Sequence, residues 1–447
     1  MPDHKNAKSW IAAHPSVKTV QAGAYDISGQ LRGKRMPIKN LEKVLAGQVR
    51  MPVSLAVTDV WGNDVEDNAL VFETGDGDGI CVPTQQGVVL NNLGQEPSAF
   101  VQLMFANEDG SPFLADPRQA LKHVVDRFAQ KGLTVVVATE LEFYLTDPEA
   151  DFPTSQISGR VSDRYATVAM DELDHFEPIL NDIYRHCEEQ GVPADAAISE
   201  NGTGQFEINL MHVADPLRAA DDAMAFKRIV RAVAHSHNKR ATFMAKPYGD
   251  RSGSGLHVHF SILDADGNNV FANETDEGSD VLRHAVGGLI AAMPESMAIF
   301  APHLNSFRRF AAMSHAPSAV AWGYENRTVA VRIPGGPDAA RRIEHRVSGA
   351  DANPYLVLAT VLGAALHGIE QKVEPPAPTN GDGYDPNLPQ LPKIWELAVD
   401  AFERGDLISE MFDAVLITSF AKAKRQEMAK FAGVVGEFER QTYWDCA

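Results

Sequence analysis

The sequence predicts an α+β fold in two units: a small mixed or β unit over residues 1–110, and a larger unit over residues 111–447 whose curved antiparallel sheet is covered by helices on one side. Three observations predict it. Short alternating runs separated by Gly and Asp crowd the first hundred residues. Four later segments alternate strictly, with apolar residues on one face and ionisable residues on the other. Longer segments of helical period lie between and after them.

TVQAGAYDISGQLRGKRMPI (19–38), NALVFET (68–74) and SAFVQLMF (98–105) supply alternating runs of the first unit. The GDGDG stretch before the next run is a turn, because the distal Glu of a calcium loop is missing at the right spacing. The boundary falls in NEDGSPFLADPRQ (107–119), where Asp116 is the cap and Pro117 the first turn of a helix through ALKHVVDRFAQKG. Further helices are expected over 174–190 and 219–238. YLVLATVLGAALHGI (355–369) is too short for a membrane span, carries His367 and reads as a buried helix. From Gln371 onward a Pro/Gly/Asn loop precedes amphipathic helices.

With 447 residues, 44% of them hydrophobic, the chain can bury a large core, and its net charge of −20 excludes a general field for nucleic acid phosphates. Without a Lys/Arg run, any anionic ligand must be met by a few placed arginines. Cys81, Cys187 and Cys446 are odd in number and show no metal spacing, which fits a reducing, cytoplasmic setting. The amino terminus lacks the apolar core of a signal peptide, and neither nucleic acid nor membrane is expected as a partner. GQLRGK near residue 30 is no phosphate loop, since it has three residues between its glycines and no Ser/Thr after Lys34.

The ionisable faces carry the chemistry. TVVVATELEFYL (134–145) places Glu140 and Glu142 on one face, roughly 7 Å apart, where two carboxylates repel unless something positive lies between. AISENGTGQFEINL (197–210) turns Gln205, Glu207 and Asn209 the same way, with Glu200 before its tight turn. GSGLHVHFSIL (253–263) adds His257, His259 and Ser261, and RRIEHRV (341–347) adds Arg342, Glu344 and Arg346. A solvent-facing strand is the simpler account of any one face, but these faces and the turn hold five glutamates, two histidines and two arginines without a lysine. Together they predict the wall of a polar cavity, and oxygen ligands in excess over imidazole favour two Mg²⁺ or Mn²⁺ ions. Arg309, Arg327, Arg332, Arg342 and Arg346 follow in nearby segments. Guanidinium forks beside divalent cations are what a transferring phosphoryl group requires.

In this order ELEF, ENGTGQFEINL, FMAKPYGDRSGSGLHVHFS, NSFRRF, NRTVAVRIP and RRIEHRVSGADANPYL resemble the glutamine synthetase family, class I type, from about residue 105 to 370. The resemblance implies a β-grasp amino-terminal domain, a funnel-like catalytic domain, and a homo-oligomer, a dodecamer of two hexameric rings with sites between neighbours. It implies that Glu142, Glu200 and Glu207 hold one metal and Glu140, His257 and Glu344 the other. It further implies that Glu142, Gly253, His257, Arg309 and Arg346 surround the substrate glutamate, that Arg327 faces the phosphoryl group, and that His259, Ser261, Arg332 and Arg342 surround ATP. The family's chemistry is phosphorylation of the glutamate γ-carboxylate by ATP, then attack of an amine on the acyl phosphate.

Two departures distinguish this chain. Where the family's flap carries a glutamate, residues 313–317 read MSHAP and His315 stands in its place. Where a neighbouring subunit lends Asp-Gly-Ser-Ser to the ammonium pocket, residues 58–62 read TDVWG, keeping Asp59 as a candidate amine base but adding Val60 and Trp61. Both resemble the γ-glutamylamine ligase branch, which includes γ-glutamylpolyamine and γ-glutamylmethylamide synthetases. Ordinary glutamine synthetase, a metal-dependent hydrolase on the same ions, and a silent sensing or structural ring are the other readings. Asn387-Leu388-Pro389-Gln390-Leu391-Pro392 stands where the class carries an adenylylated tyrosine, so that modification is not expected.

Overall fold

The first alternating runs do become strands. The computed structural model of the chain describes residues 6–149, 167–275, 277–310 and 315–447. In it β1 (Thr19–Tyr25) and β2 (Leu31–Pro37) form a hairpin, and β3 (Val49–Pro52), β4 (Asp78–Asn91) and β5 (Ser98–Ala106) complete a mixed sheet of order β2-β1-β5-β4-β3. Its central pair, β1 and β5, is parallel, as a β-grasp unit requires. One run differs from expectation. Part of NALVFET forms the one-turn helix Ala69–Phe72, because the Asn68 side chain accepts the N–H of Leu70 and caps it.

At the boundary, the Asp116 side chain accepts the N–H groups of Arg118 and Gln119 and starts the helix Pro117–Ala129. The second unit follows with β6 (Thr134–Thr146), β7 (Ala194–Ser199), β8 (Gln205–Val213), β9 (Arg240–Thr242), β10 (Leu256–Leu263), β11 (Trp322–Tyr324), β12 (Val331–Ile333) and β13 (Ile343–His345). Their order is β11-β12-β13-β10-β6-β8-β7, with β9 also on β6. Every pair is antiparallel except β11 and β12, which correct the expectation of a wholly antiparallel sheet. There residues 325–330 loop back along the edge, with Glu325 N–H bonded to Ile333 O and Val331 N–H to Ala321 O, so the chain re-enters in its former direction.

The expected helix over 174–190 is two helices, Met170–His175 and Glu177–Gln190. Pro178 lacks the N–H that a continuous helix needs and is accepted only in the first turn of the second. The next helix begins at Pro216, earlier than expected, on an Asp215 cap, and ends at Ser236. The apolar stretch near residue 360 is the buried helix Pro354–Gln371. Among the described residues no helix is long and apolar enough to cross a membrane.

Helix Pro216–Ser236 packs on the apolar faces of β6 and β8. Phe143 stands at the centre of that contact, its ring 6.2 Å from Phe206, 6.1 Å from Phe226 and 5.5 Å from Phe243. Each such side chain contributes about 1.5–3 kcal/mol on burial. A polar clasp ties this core to the first unit. Arg118 donates two hydrogen bonds of 2.9 Å to Asp221, Tyr355 OH donates at 2.7 Å, and Gln102 of β5 donates at 2.6 Å to the same carboxylate. All four groups are buried.

Asp221→Ala leaves the Arg118 guanidinium buried and unpaired, and is expected to cost about 3–5 kcal/mol in urea unfolding. Tyr355→Phe, which removes one neutral hydroxyl that donates to Asp221 and accepts from Gln102 Nε2, is expected to cost less, about 1–2 kcal/mol. Equal losses would contradict a clasp centred on the ion pair.

Candidate active site

Strand register gathers the ionisable faces. Across β6 and β10, Glu140 lies opposite His257; across β6 and β8, Glu142 lies opposite Glu207 and Glu140 opposite Asn209; across β10 and β13, His259 lies opposite Glu344. The result is a cavity of about 750 Å³ whose lining includes Glu140, Glu142, Glu200, Glu207, Gly253, His257, Arg309, Arg327, Arg346 and His315. Ten of the residues expected at the site thus share one cavity, with Glu344 buried behind it.

Ligand atoms of Glu142, Glu200 and Glu207 lie within 4.8 Å of one another, as the first metal set requires. The second set is distributed differently from expectation. Glu140 bridges two imidazoles, His257 Nδ1 at 3.1 Å from Oε2 and His259 Nε2 at 2.9 Å from Oε1. The compact groups are therefore Glu140–His259–Glu344 and Glu140–Glu207–His257. His259, expected beside the nucleotide, joins the carboxylates because register sets it, and not His257, opposite Glu344. Arg332 holds Glu344 at 2.8 Å and Arg346 holds its other oxygen.

These charges are strained toward cations. Burial, then the charge of Glu142, pushes the Glu200 carboxyl up to about 7. Burial followed by Glu140, Glu142 and Glu200 pushes Glu207 well above the carboxylate range. Burial opposes ionisation at Glu140 too, but hydrogen bonds from His257 and His259 hold it well below that range. Against its own burial, Glu344 is drawn down to about 2 by Arg346. Oxygen-rich groups this close, two of them clinging to protons, fit divalent cations.

Neighbouring groups fix the donors. Gly255 N–H and Asn209 Nδ2 hold Glu142 and Glu140, each at 2.8 Å. Gln205 Nε2 donates to Gly253 O at 2.9 Å, and Tyr144 OH to Ser252 O at 2.8 Å, so the loop before β10 is pinned from β6 and β8. A Cβ on Gly253 would sit 2.6 Å from Ala245 O and 2.8 Å from Arg309 Cγ, which explains glycine there. Alternation had put Gln205 and Asn209 on the right face without giving them a role. Tyr384, which no local pattern marks, reaches the cavity on the long loop after helix Pro354–Gln371, where Asn326 Nδ2 grips Thr379 O and Gly381 O.

Other expected residues lie outside the cavity. Ser261 and Arg342 continue the polar stripe beyond it, Arg342 Nε donating to His259 Nδ1 at 3.3 Å. Within the chain Asp59 does not reach it. Its carboxylate accepts Trp61 N–H, Asn63 N–H, Asn63 Nδ2 and Gln426 Nε2, and although burial raises its pKa, these bonds together hold it below the ordinary value. The Trp61 indole is partly covered, 5.7 Å from the Phe431 ring and 3.9 Å beneath Lys430 Nζ, and is otherwise exposed. Of the flap, His315 lines the cavity at φ 61°, in the left-handed region uncommon for residues with a Cβ, while Met313 and Ser314 lie outside the described residues.

Residues 114–443 match the glutamine synthetase catalytic domain. The chain is 36% identical to gamma-glutamylputrescine synthetase of Escherichia coli K12, across 97% of this chain and 93% of that one. It is 32% identical to gamma-glutamylethanolamide synthetase of Streptomyces coelicolor, across 96% and 93%. A solved structure titled apo GmaS without ligand superposes with a TM-score of 0.85 at 29% identity over the whole of both chains. The chain therefore belongs to the glutamine synthetase family. Within that family it is an ATP-dependent ligase.

An acid whose native pKa is raised adds stability that is fully present below the unfolded value and lost as pH rises through the native one. For Glu200 that loss runs up to about pH 7, and for Glu207 beyond it. Cations binding the ionised site return the stability. The rise in Tm caused by Mg²⁺ or Mn²⁺ is therefore expected to be larger at pH 8 than at pH 6, and Glu207→Gln is expected to raise the cation-free Tm at pH 8. Scanning fluorimetry measures both, and a larger shift at pH 6 would contradict the reading.

Proposed function

We propose that this protein joins the γ-carboxylate of L-glutamate to a primary organic amine, a polyamine or small alkylamine, with ATP converted to ADP and phosphate. The observation that supports this amine class best is His315 at the cavity, where an imidazole and not a carboxylate meets the incoming nitrogen. Ammonium is small and strongly hydrated and needs anionic partners to bind and to lose a proton. An alkylamine gains from apolar wall, about 0.8 kcal/mol per buried methylene, and Val168, Ile198, Ala316 and Tyr384 provide it.

Arg309 and Arg346 meet the glutamate carboxylates, with the Gly253 loop closing over them. Arg327 neutralises charge on the transferring phosphoryl group, and Arg332 with Ser261 and Arg342 surrounds the nucleotide. Glu142, Glu200 and Glu207, and Glu140 with His257, His259 and Glu344, would hold divalent cations, which when bound supply charge neutralisation and orientation of phosphate oxygens. A γ-carboxylate oxygen bonds to the terminal phosphorus of ATP as ADP departs. The amine nitrogen then bonds to the acyl carbon, phosphate leaves, and His315 takes the nitrogen's proton. Asp59 would serve only from a neighbouring copy, and its four hydrogen bonds make it the weaker base. The ring dodecamer and the cytoplasmic setting belong to this same reading.

kcat/KM for a primary alkylamine or polyamine is expected to exceed that for ammonia by at least roughly tenfold, about 1.4 kcal/mol of transition-state preference. Phosphate release with glutamate, ATP and a panel from ammonia to spermidine, at matched free base, measures it. His315→Glu should narrow the gap, and ammonia equalling every amine would return the chain to ordinary glutamine synthetase. Glu142→Ala is expected to abolish turnover with the fold retained; wild-type rates would refute the role of the carboxylates.

A further inference from the structure

A second cavity, of about 800 Å³, lies on the other side of the segment that carries Arg309. Its distinguishing property is charge. In a chain of net charge −20, Lys227, Arg228, Arg231 and Arg308 all line this one space. Among the described residues none of the four forms an ion pair. Each is oriented instead by neutral groups. Lys227 Nζ donates to Ala352 O at 3.2 Å, Arg308 Nη1 to Leu304 O at 3.4 Å, and Arg228 bonds Tyr25 with its guanidinium 4.6 Å from the Phe100 ring. Arg231 lies 5.2 Å from the Phe243 ring. Carbonyls and ring faces aim a cation without neutralising it.

Lys227 is 6% exposed with no counter-ion in contact, and burial followed by the charge of Arg231 pushes its ammonium down to about 7, so an anion seated here would restore its proton. The wall's one carboxylate is Asp351, whose Oδ2 already accepts Ser306 Oγ at 2.7 Å. His303, also on the wall, faces Glu427 at 3.7 Å. Three arginines, with Lys227 beside them, against one carboxylate leave a surplus of positive charge. The volume greatly exceeds that of an inorganic anion, and Met224, Phe243, Met244 and Leu304 offer apolar surface between the charges.

The two cavities share structure. Arg308 lines one and Arg309 the other. Phe243 and Met244 line the second cavity, while the next residue, Ala245, accepts Ser254 N–H at 2.9 Å in the loop that carries Gly253. Asn305, on the wall, locks this segment by accepting Lys246 N–H at 2.9 Å and donating to Lys246 O at 2.8 Å. We infer that this cavity is a regulatory site for a small organic polyanion, a di- or tricarboxylate or a phosphate ester, held by Lys227, Arg228, Arg231 and Arg308 and felt in the catalytic cavity through residues 303–309 and 243–246.

The test is calorimetric titration of the full-length assembled protein, free of substrate and metal, with citrate, glucose 6-phosphate or inorganic phosphate at ionic strength fixed with NaCl. At least one organic anion is expected to bind once per chain, more tightly than inorganic phosphate, and at least tenfold more weakly to Arg231→Gln/Arg308→Gln of unchanged oligomeric size. Equal affinity in the variant, or no binding by either organic anion, would overturn the site. Should the variant misassemble, hydrogen exchange on the wild type decides: protection is expected over residues 224–231 and 303–308, and protection confined to the carboxylate cavity would overturn the proposal. The regulatory part rests on the ligase reading. There, at fixed free cation, the anion is expected to change the glutamate KM at least threefold in the wild type and not in the variant; binding without that change would overturn regulation and leave the ligase reading untouched.

Discussion

Mutual repulsion among buried carboxylates is the constraint around which this structure is arranged. Glu140, Glu142, Glu200 and Glu207 crowd one face of a sheet, and nothing in a strand's own preferences keeps them there. The opposing force comes from behind and beside them. Leu141 and Phe143 flank Glu142 in sequence and point to the other face, so the apolar core that anchors them also fixes Glu140 and Glu142. Beside them the Gly255 N–H, Asn209 and the two histidines occupy oxygens that would otherwise face only like charge. The site is electrostatically unfavourable on its own and is maintained by packing on the opposite side of the same strands.

Much of this was legible because it depends on local alternation. The period of two in residues 134–145 announces both the strand and its acidic face, and Asp116-Pro117 announces a helix start. What escaped depends on pairing between distant segments. Alternation puts His257 and His259 on one face, but only the β10–β13 register decides which stands opposite Glu344. The parallel β11–β12 pair and the arrival of Tyr384 are likewise products of loops whose course no local pattern encodes. Asn68 turned an alternating run into a helix through a single side-chain hydrogen bond, a short-range signal read too weakly beside the hydrophobic pattern.

Family resemblance carried residues further than periodicity did. It brought three of the five expected arginines, Arg309, Arg327 and Arg346, and five of the six expected metal ligands to one cavity wall, with the sixth, Glu344, buried beside them. Asp59, by contrast, is consumed by its own turn and by Gln426. A position can therefore keep its residue type while its lone pairs are committed elsewhere. His315 and Tyr384 do line the cavity.

The loop around Asp59 has a further consequence, which concerns how the chain is made. Val60 N–H is bonded to Glu427, 367 positions later, and Asn353 reaches back 327 positions to Asp26. The amino-terminal unit is thus completed by groups that leave the ribosome last. Closing contacts at such separations is entropically slow, and topology of this kind lengthens folding times. During synthesis the turn that carries Asp59 lacks its Gln426 and Glu427 partners until the last long helix emerges. The nascent amino-terminal unit therefore passes through an immature form in which Trp61 lacks its contacts with Lys430 and Phe431, a state in which chaperone capture or premature association competes with maturation.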